Sequence, residues 1–409
     1  MIETKNLANG TVLLQETVES TDTVSIGFWF THGSRDEREG EHGFSHFLEH
    51  MLFKGTRKRT AYQIASDIDR VGGLLNAFTE KETTCFYSIV PKEAIELSID
   101  ILTDMLSNSI ISDTDVAREK LVVENEIRAV EDSPEEIAHE LYLKELWNNH
   151  PLVRKITGNM EDVKKFEREK LLKFYHENYR LENAIISVAG NFNGEQVTGI
   201  LHERIKKRTK GRKDYSRKPP QSNTFNHYIS SNFNQVQIYA GLPFIPRNRL
   251  EDYYDMVVLS TIFGESISSR LFQELRENKG LCYTVYSYRT YFSDIALWTV
   301  YASTGPSQTE ELISALKRET EKLKNNPPSK EEIENAKSHL RGSIVLAKED
   351  METRMKRMVR QYILRGDVFP FEKSLEYIEE VNRTRIAERI EKLFKEKDFS
   401  YLVYGNRER

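Results

Sequence analysis

On either side of a basic, proline-containing stretch, RIKKRTKGRKDYSRKPPQSN (Arg204 to Asn223), the sequence passes from a strand pattern into a helix pattern. In the first block the β-branched and aromatic run TVSIGFWF (Thr23 to Phe30) leads to GFSHFLEHMLFKGT, a helix ended by Gly55. In the second, NQVQIYAGLPF (Asn234 to Phe244) leads to DMVVLSTIFG (Asp255 to Gly264) and SSRLFQELRENKG (Ser268 to Gly280). Two blocks of similar length with one plan read as a diverged internal duplication. At 409 residues the chain is in any case too long for one compact core. The expected organisation is an N-terminal domain over 1–205, a linker over 206–223, and a C-terminal repeat over 224–409.

Within the first block, Thr60 caps AYQIASDIDRVGG, where Ile64, Ile68 and Val71 recur at helical spacing and Gly72-Gly73 stops the helix. LLNAFTEK and TTCFYSIVP follow as two short strands around a polar turn, and Pro91 then opens the amphipathic PKEAIELSIDILTDMLSNS. A long helical pattern from Asp113 to Asn148 is broken only at Ser133-Pro134. Small groups of strands alternating with paired helices predict an α+β chain: two homologous α/β domains, each a mixed sheet flanked by helices.

Composition narrows the function classes. A chain 38% hydrophobic and 30% charged is charge-rich but can still bury a core, which excludes disorder. The 59 basic and 64 acidic residues are interspersed, giving a net charge of −5 and no footprint for nucleic acid or an anionic membrane. Cys85 and Cys282 are the only cysteines and form no CxxC, against a disulfide framework or a thiolate metal site. No signal peptide and no long apolar run are visible, so the expected location is the cytoplasm.

The chemistry concentrates in HFLEH. On a helix His46 and His50, four apart, can offer imidazoles to one ion while Glu49 stays on that side as a base. The competing reading is a capped helix with solvated polar side chains. With 10 histidines in the chain, however, chance matches to HxxEH number on the order of a few hundredths. Catalytic zinc keeps three protein ligands and an open position, so a third ligand is required. His42 continues the row, but Gly43 at the helix start makes its placement doubtful. In VAREKLVVENEIRAV (Val116 to Val130), a wheel of about 100° per residue places Val123, Ile127 and Val130 beside Val116. Glu119 and Glu126 fall within the same apolar arc, whereas Glu124 and Glu131 turn towards the polar side. A carboxylate on a buried face needs a metal or a cationic partner, and a seven-residue spacing suits one ligand and one glutamate supporting it.

HxxEH followed by Glu126, 126 − 50 = 76 positions after the second histidine, resembles the inverted zinc-peptidase motif. The chain is thereby similar to the pitrilysin/insulinase family, most closely its processing-peptidase branch. VGGLLNAFTEKETTCFY, LVVENEIRAVEDSPEE, PLVRKITGNMEDV and, in the second half, SRLFQELRENKGLCYTVYSY extend the resemblance over most of the chain. The resemblance implies Zn2+ held by His46, His50 and Glu126, Glu49 as general base, and Glu119 as a supporting carboxylate. It assigns Arg276 and Tyr283, seven apart, to the scissile carbonyl, and Asn76 and Ala77 to an edge strand that receives substrate. The competing readings, without it, are a turn residue for Asn76 and a core aromatic for Tyr283. Cys85 reads as a small buried residue. The C-terminal repeat lacks the histidine motif. The implied activity is hydrolysis of unstructured peptides. The implied assembly is a homodimer whose active site is completed by the C-terminal domain of the other chain. The other reading is a non-catalytic structural or peptide-binding subunit of the same family.

Overall fold

A computed structural model describes residues 2–7, 10–205, 215–246, 249–395 and 397–406. Residues 206–214, half of the predicted linker, therefore lie outside the described residues. The chain divides into two compact units, but not at a single point along the sequence. One unit comprises Met1–Arg128, Arg154–Ser216 and Leu346–Pro370, and the other Ala129–Val153, Arg217–Val345 and Phe371–Arg409. The sequence-based boundaries are linear, whereas the units exchange two segments.

The first unit is built on six strands: β1 (Ile2–Asn6), β2 (Val12–Thr17), β3 (Thr23–Phe30), β4 (Leu74–Thr79), β5 (Thr84–Pro91) and β6 (Ile185–Gly190). Their order is β1-β2-β6-β3-β5-β4, and only β2 and β6 run parallel. The second unit has β7 (Asn226–Ser230), β8 (Val236–Phe244), β9 (Thr284–Tyr291), β10 (Ala296–Thr304) and β11 (Ser400–Gly405), ordered β7-β11-β8-β10-β9, with the one parallel pair at β7 and β11. Leaving out β1, the two sheets have the same strand order, the same sequence of crossovers and the parallel pair in the same place. The duplication is thus a property of the fold, and the chain consists of two homologous α/β domains.

Both central strands are buried on both faces, which explains their unbroken apolar character. On one face of β3, Val24, Ile26, Phe28 and Phe30 pack with the helices that follow in sequence, α1 (Phe44–Leu52), α2 (Ala61–Asp69), α3 (Ile95–Asn108) and α4 (Asp113–Glu131). On the other, Trp29 packs with Met355, Met358 and Val359 of the helix Met351–Arg365, contributed by a segment far away in sequence. Gly27 permits this approach, because a Cβ there would stand 2.7 Å from Met355 Sδ. The second sheet repeats the device. Tyr142 of the helix Pro134–Trp147 packs on Tyr239, and a Cβ on Gly241 would meet its hydroxyl at 1.7 Å. Gly27 lies opposite Ser187 and Gly241 opposite Ser400 in the neighbouring strand, but the two glycines are not at equivalent positions: Gly190 approaches Val24 as Gly405 approaches Val236, and Gly27 stands three residues beyond the first valine whereas Gly241 stands five beyond the second. No described helix is long and apolar enough to cross a membrane.

Candidate metal centre

The helix α1 buries Phe44, Phe47, Leu48, Met51 and Leu52, and this stripe fixes its rotation on the sheet. His46 is buried beside them, while Glu49 and His50 sit at the edge of the stripe. Gly43 is the N-cap at φ +91°, a left-handed conformation that suits glycine, and a Cβ there would press on Thr157 O at 2.6 Å. His42 therefore precedes the helix, and the metal group does not include it.

In α4 the buried positions are Val116, Glu119, Val123 and Ile127, so Glu119 occupies a core position in an otherwise apolar row. It is satisfied there: His50 Nδ1 donates to its Oε1 at 2.8 Å, and Lys54 Nζ lies 2.6 Å from Oε2. Burial raises the Glu119 carboxyl, but its bonds to His50 and Lys54 outweigh this and hold it below the ordinary range. Burial likewise opposes the charge on His50, and the Glu119 bond with the surrounding carboxylates raises it on balance. With Nδ1–H engaged, His50 presents Nε2. That atom lies 3.7 Å from Glu126 Oε2, and His46 Nε2 lies 3.4 Å from Glu126 Oε1. The Glu126 carboxyl is held low by the bond to His46.

His46, His50 and Glu126 each offer one ligand atom within 4.8 Å of the others, and they are the only such group among the described residues. A tetrahedral zinc with bonds of roughly 2.1 Å separates its ligand atoms by about 3.4 Å, so two imidazole nitrogens and a carboxylate at these spacings fit the ion. Glu124, by contrast, pairs with Arg128 at 3.7 Å and is not in the metal group, although its side chain, 15% exposed, is more buried than that of Glu126 at 41%, the reverse of what the wheel predicts. Cys85 is fully buried, burial pushes its thiol up, and it takes no part.

Glu49 projects from the same helix face. Burial raises its carboxyl, and the hydroxyl of Thr79, which donates to Oε2 at 2.5 Å, acts in the opposite direction. Thr79 ends β4, the strand that carries Asn76 and Ala77 and that lies at the end of its sheet, paired with β5 alone. Asn76 is exposed, with its Oδ1 accepting from the amide of Ala77 at 2.8 Å. Arg276 and Tyr283 belong to the second unit. The structure brings them together, with the guanidinium carbon 4.7 Å from the centre of the tyrosine ring. Tyr283 is 81% exposed and so is not a core aromatic.

Three supporting residues escape the sequence reading. Lys54 stands four positions after His50, and Thr79 two after Ala77 on the same strand face, so helical and strand periodicity could have found both. Glu37 accepts from the amides of Gly43 and Ser45, each at 2.8 Å, and nothing in its local sequence signals this.

Residues 11–159 match the family described as Insulinase (Peptidase family M16), and residues 165–340 that described as Peptidase M16 inactive domain. An uncharacterized zinc protease of Bacillus subtilis, YmxG, is 34% identical over 97% of this chain and 96% of its own length. An uncharacterized zinc protease of Rickettsia felis is 33% identical over 98% and 97%. Among solved structures, a peptidase M16 inactive domain from Pseudomonas fluorescens superposes with a TM-score of 0.92 at 16% identity, over 100% of this chain and 98% of that one. A protease from Helicobacter pylori gives 0.87 at 20% identity, over 99% of both chains. These likenesses in sequence run nearly end to end, and the chain belongs to the insulinase family, peptidase family M16.

Proposed function

We propose that this protein is a zinc-dependent endopeptidase of the processing-peptidase type, acting in the cytoplasm on unstructured or presequence-like peptides. The observation that carries the reading is the convergence of His46, His50 and Glu126 at zinc-ligand spacing beside a carboxylate, Glu49, that is not itself a ligand. Bound zinc supplies a water nucleophile of lowered pKa and polarises the scissile carbonyl. Glu49 takes the proton at Oε1, since Oε2 is engaged by Thr79, and delivers it to the leaving amine. Glu119, itself paired with Lys54, engages Nδ1 of His50, which leaves Nε2 as the atom that would hold the metal. Arg276 and Tyr283 donate hydrogen bonds to the carbonyl oxygen as charge develops on it.

The free edge of β4 supports a substrate held as an added strand, because an edge strand offers unpaired backbone groups in the register of an extended peptide. The assembly we propose is a homodimer in which Arg276 and Tyr283 serve the metal set of the other chain. A non-catalytic subunit is the alternative, and the complete ligand set with its base favours the enzyme. Zinc analysis together with cleavage of a random peptide library tests the proposal. The parent chain is expected to hold one zinc and cut the library. Glu49→Gln is expected to retain the zinc and lose on the order of 10²–10⁴-fold in kcat. A metal-free parent, or an active Glu49→Gln chain, refutes the assignment.

A further inference from the structure

The two histidines of the metal set are held by different means. His50 is gripped through its ring, with Nδ1 bonded to Glu119. His46 has no such grip: its Nδ1 is buried and has no hydrogen-bond partner among the described residues. The aim of His46 Nε2 therefore depends on where the backbone of α1 places the side chain. His46 is the third residue of α1, within the turn whose amides lack intrahelical acceptors and which frays first in an uncapped helix.

That turn is fixed from outside the helix. Both carboxylate oxygens of Glu37 are used, Oε2 accepting from the amide of Gly43 and Oε1 from that of Ser45, each at 2.8 Å. The amide of Phe44 is taken by Glu41 O at 2.9 Å. Glu37 is only 3% exposed, and the guanidinium of Arg154 donates to its backbone carbonyl. The left-handed Gly43, packed against Thr157 O, leaves the chain one way into the helix. A carboxylate at a helix N-terminus also meets the positive end of the helix dipole.

We infer that Glu37 is a positioning residue of the metal centre: by capping α1 it sets the place of His46, as Glu119 sets that of His50. The inference rests on the zinc reading above and adds to it a residue that touches neither metal nor substrate. Glu37→Gln keeps the shape of the side chain but turns an amide NH2 against a backbone N–H, removing one of the two bonds. Asn193→Ala is the control. Its side chain caps the helix Gly194–Arg204 in the same way, accepting from the amides of Glu195 and Gln196 at 3.0 Å, and no residue of that helix is in the metal set.

Burial pushes the Glu37 carboxyl up to about 8, so zinc affinity is measured above that pH, by competition with a chelator, and the cobalt-substituted absorption spectrum is recorded for each chain. Glu37→Gln is expected to weaken zinc binding about 10-fold or more and to alter the cobalt spectrum, in the range typical of groups behind a ligand. Asn193→Ala is expected to lower Tm similarly and leave both metal readouts at parent values. A Glu37→Gln chain with lowered Tm but parent zinc affinity and spectrum overturns the inference while leaving the zinc reading intact, whereas a parent that binds no zinc removes both. Hydrogen exchange on the metal-free parent gives a test that no folding failure can spoil. The amides of Gly43 and Ser45 are expected to be protected before zinc is added, and protection that appears only with zinc overturns the inference.

Discussion

Glu119 and Glu126 show how far a single residue can be read from its neighbours in sequence. The apolar arc of α4 singles out both, because a carboxylate there has to be satisfied by something, and in the structure one faces two imidazole nitrogens and the other a lysine and a histidine. The histidine partners were legible through the motif, whereas Lys54 was missed, although its spacing from His50 could have pointed to it, because it reaches Glu119 across space rather than along α4. The same limit applies to Glu37, whose partners are backbone amides that any sequence would supply. The arrangement ranks three isosteric changes. Glu126→Gln removes a ligand oxygen and is expected to weaken zinc most. Glu119→Gln loosens the grip on His50 and is expected to cost about 10–100-fold in affinity. Glu124→Gln breaks only the 3.7 Å pair with the exposed Arg128 and touches no member of the metal set, so its zinc affinity should be near that of the parent. Chelator competition on the three variants checks the order, and equal affinities for the Glu124 and Glu126 variants would move the third ligand elsewhere.

At the level of elements, strands and helices near the site follow from pattern and caps. TVSIGFWF is β3 from end to end, and Thr60 caps α2 with Gln63 closing the capping box. Ser133-Pro134 breaks the long helical pattern where the sequence places the break, with Ser133 as N-cap and proline in the first turn. Periodicity states which face of a helix is buried but not which sheet it covers. For that reason the crossing of the helices Pro134–Trp147 and Met351–Arg365 between units was not legible, although Gly27 and Gly241 were plainly odd residues for central strands. These glycines can be tested directly. Gly27→Ala meets the flexible thioether of Met355 at 2.7 Å and the buried indole Nε1 of Trp29 at 2.8 Å, whereas Gly241→Ala meets the rigid ring and, at 1.7 Å, the hydroxyl of Tyr142. Overpacking costs typically about 1–3 kcal/mol, so both changes are expected to destabilise in urea unfolding, with Gly241→Ala, the deeper clash, at or above the high end and Gly27→Ala the lesser. Equal losses would mean that Tyr142 relocates as easily as Met355.

For the molecule as a whole, the duplication has separated the parts of the proposed catalyst. The metal set, Glu49 and the edge strand β4 lie in the first unit, and the Arg276–Tyr283 pair lies in the second, in the copy without the histidine motif. The homodimer proposed above would bring the second unit of one chain to the metal set of the other, and two-fold pairing of identical chains would supply two such sites at once. Mixing inactivated chains tests whether they are shared. Glu49→Gln lacks the base and Tyr283→Phe lacks the hydroxyl that serves the carbonyl, so each chain alone is expected to be nearly inactive. In a mixed dimer, the intact Glu49 of the Tyr283→Phe chain meets the intact Tyr283 of its partner, and one site of two works. Random re-association of equal amounts makes half the dimers mixed, so about a quarter of the parent activity should return. The same fraction is expected whichever variant is in the refolding mixture first, because only the final pairing matters. No recovery, with mixed dimers confirmed by native mass, would mean that each chain serves its own metal set, and a chain that sediments as a monomer while cutting peptides would dispense with the partner altogether.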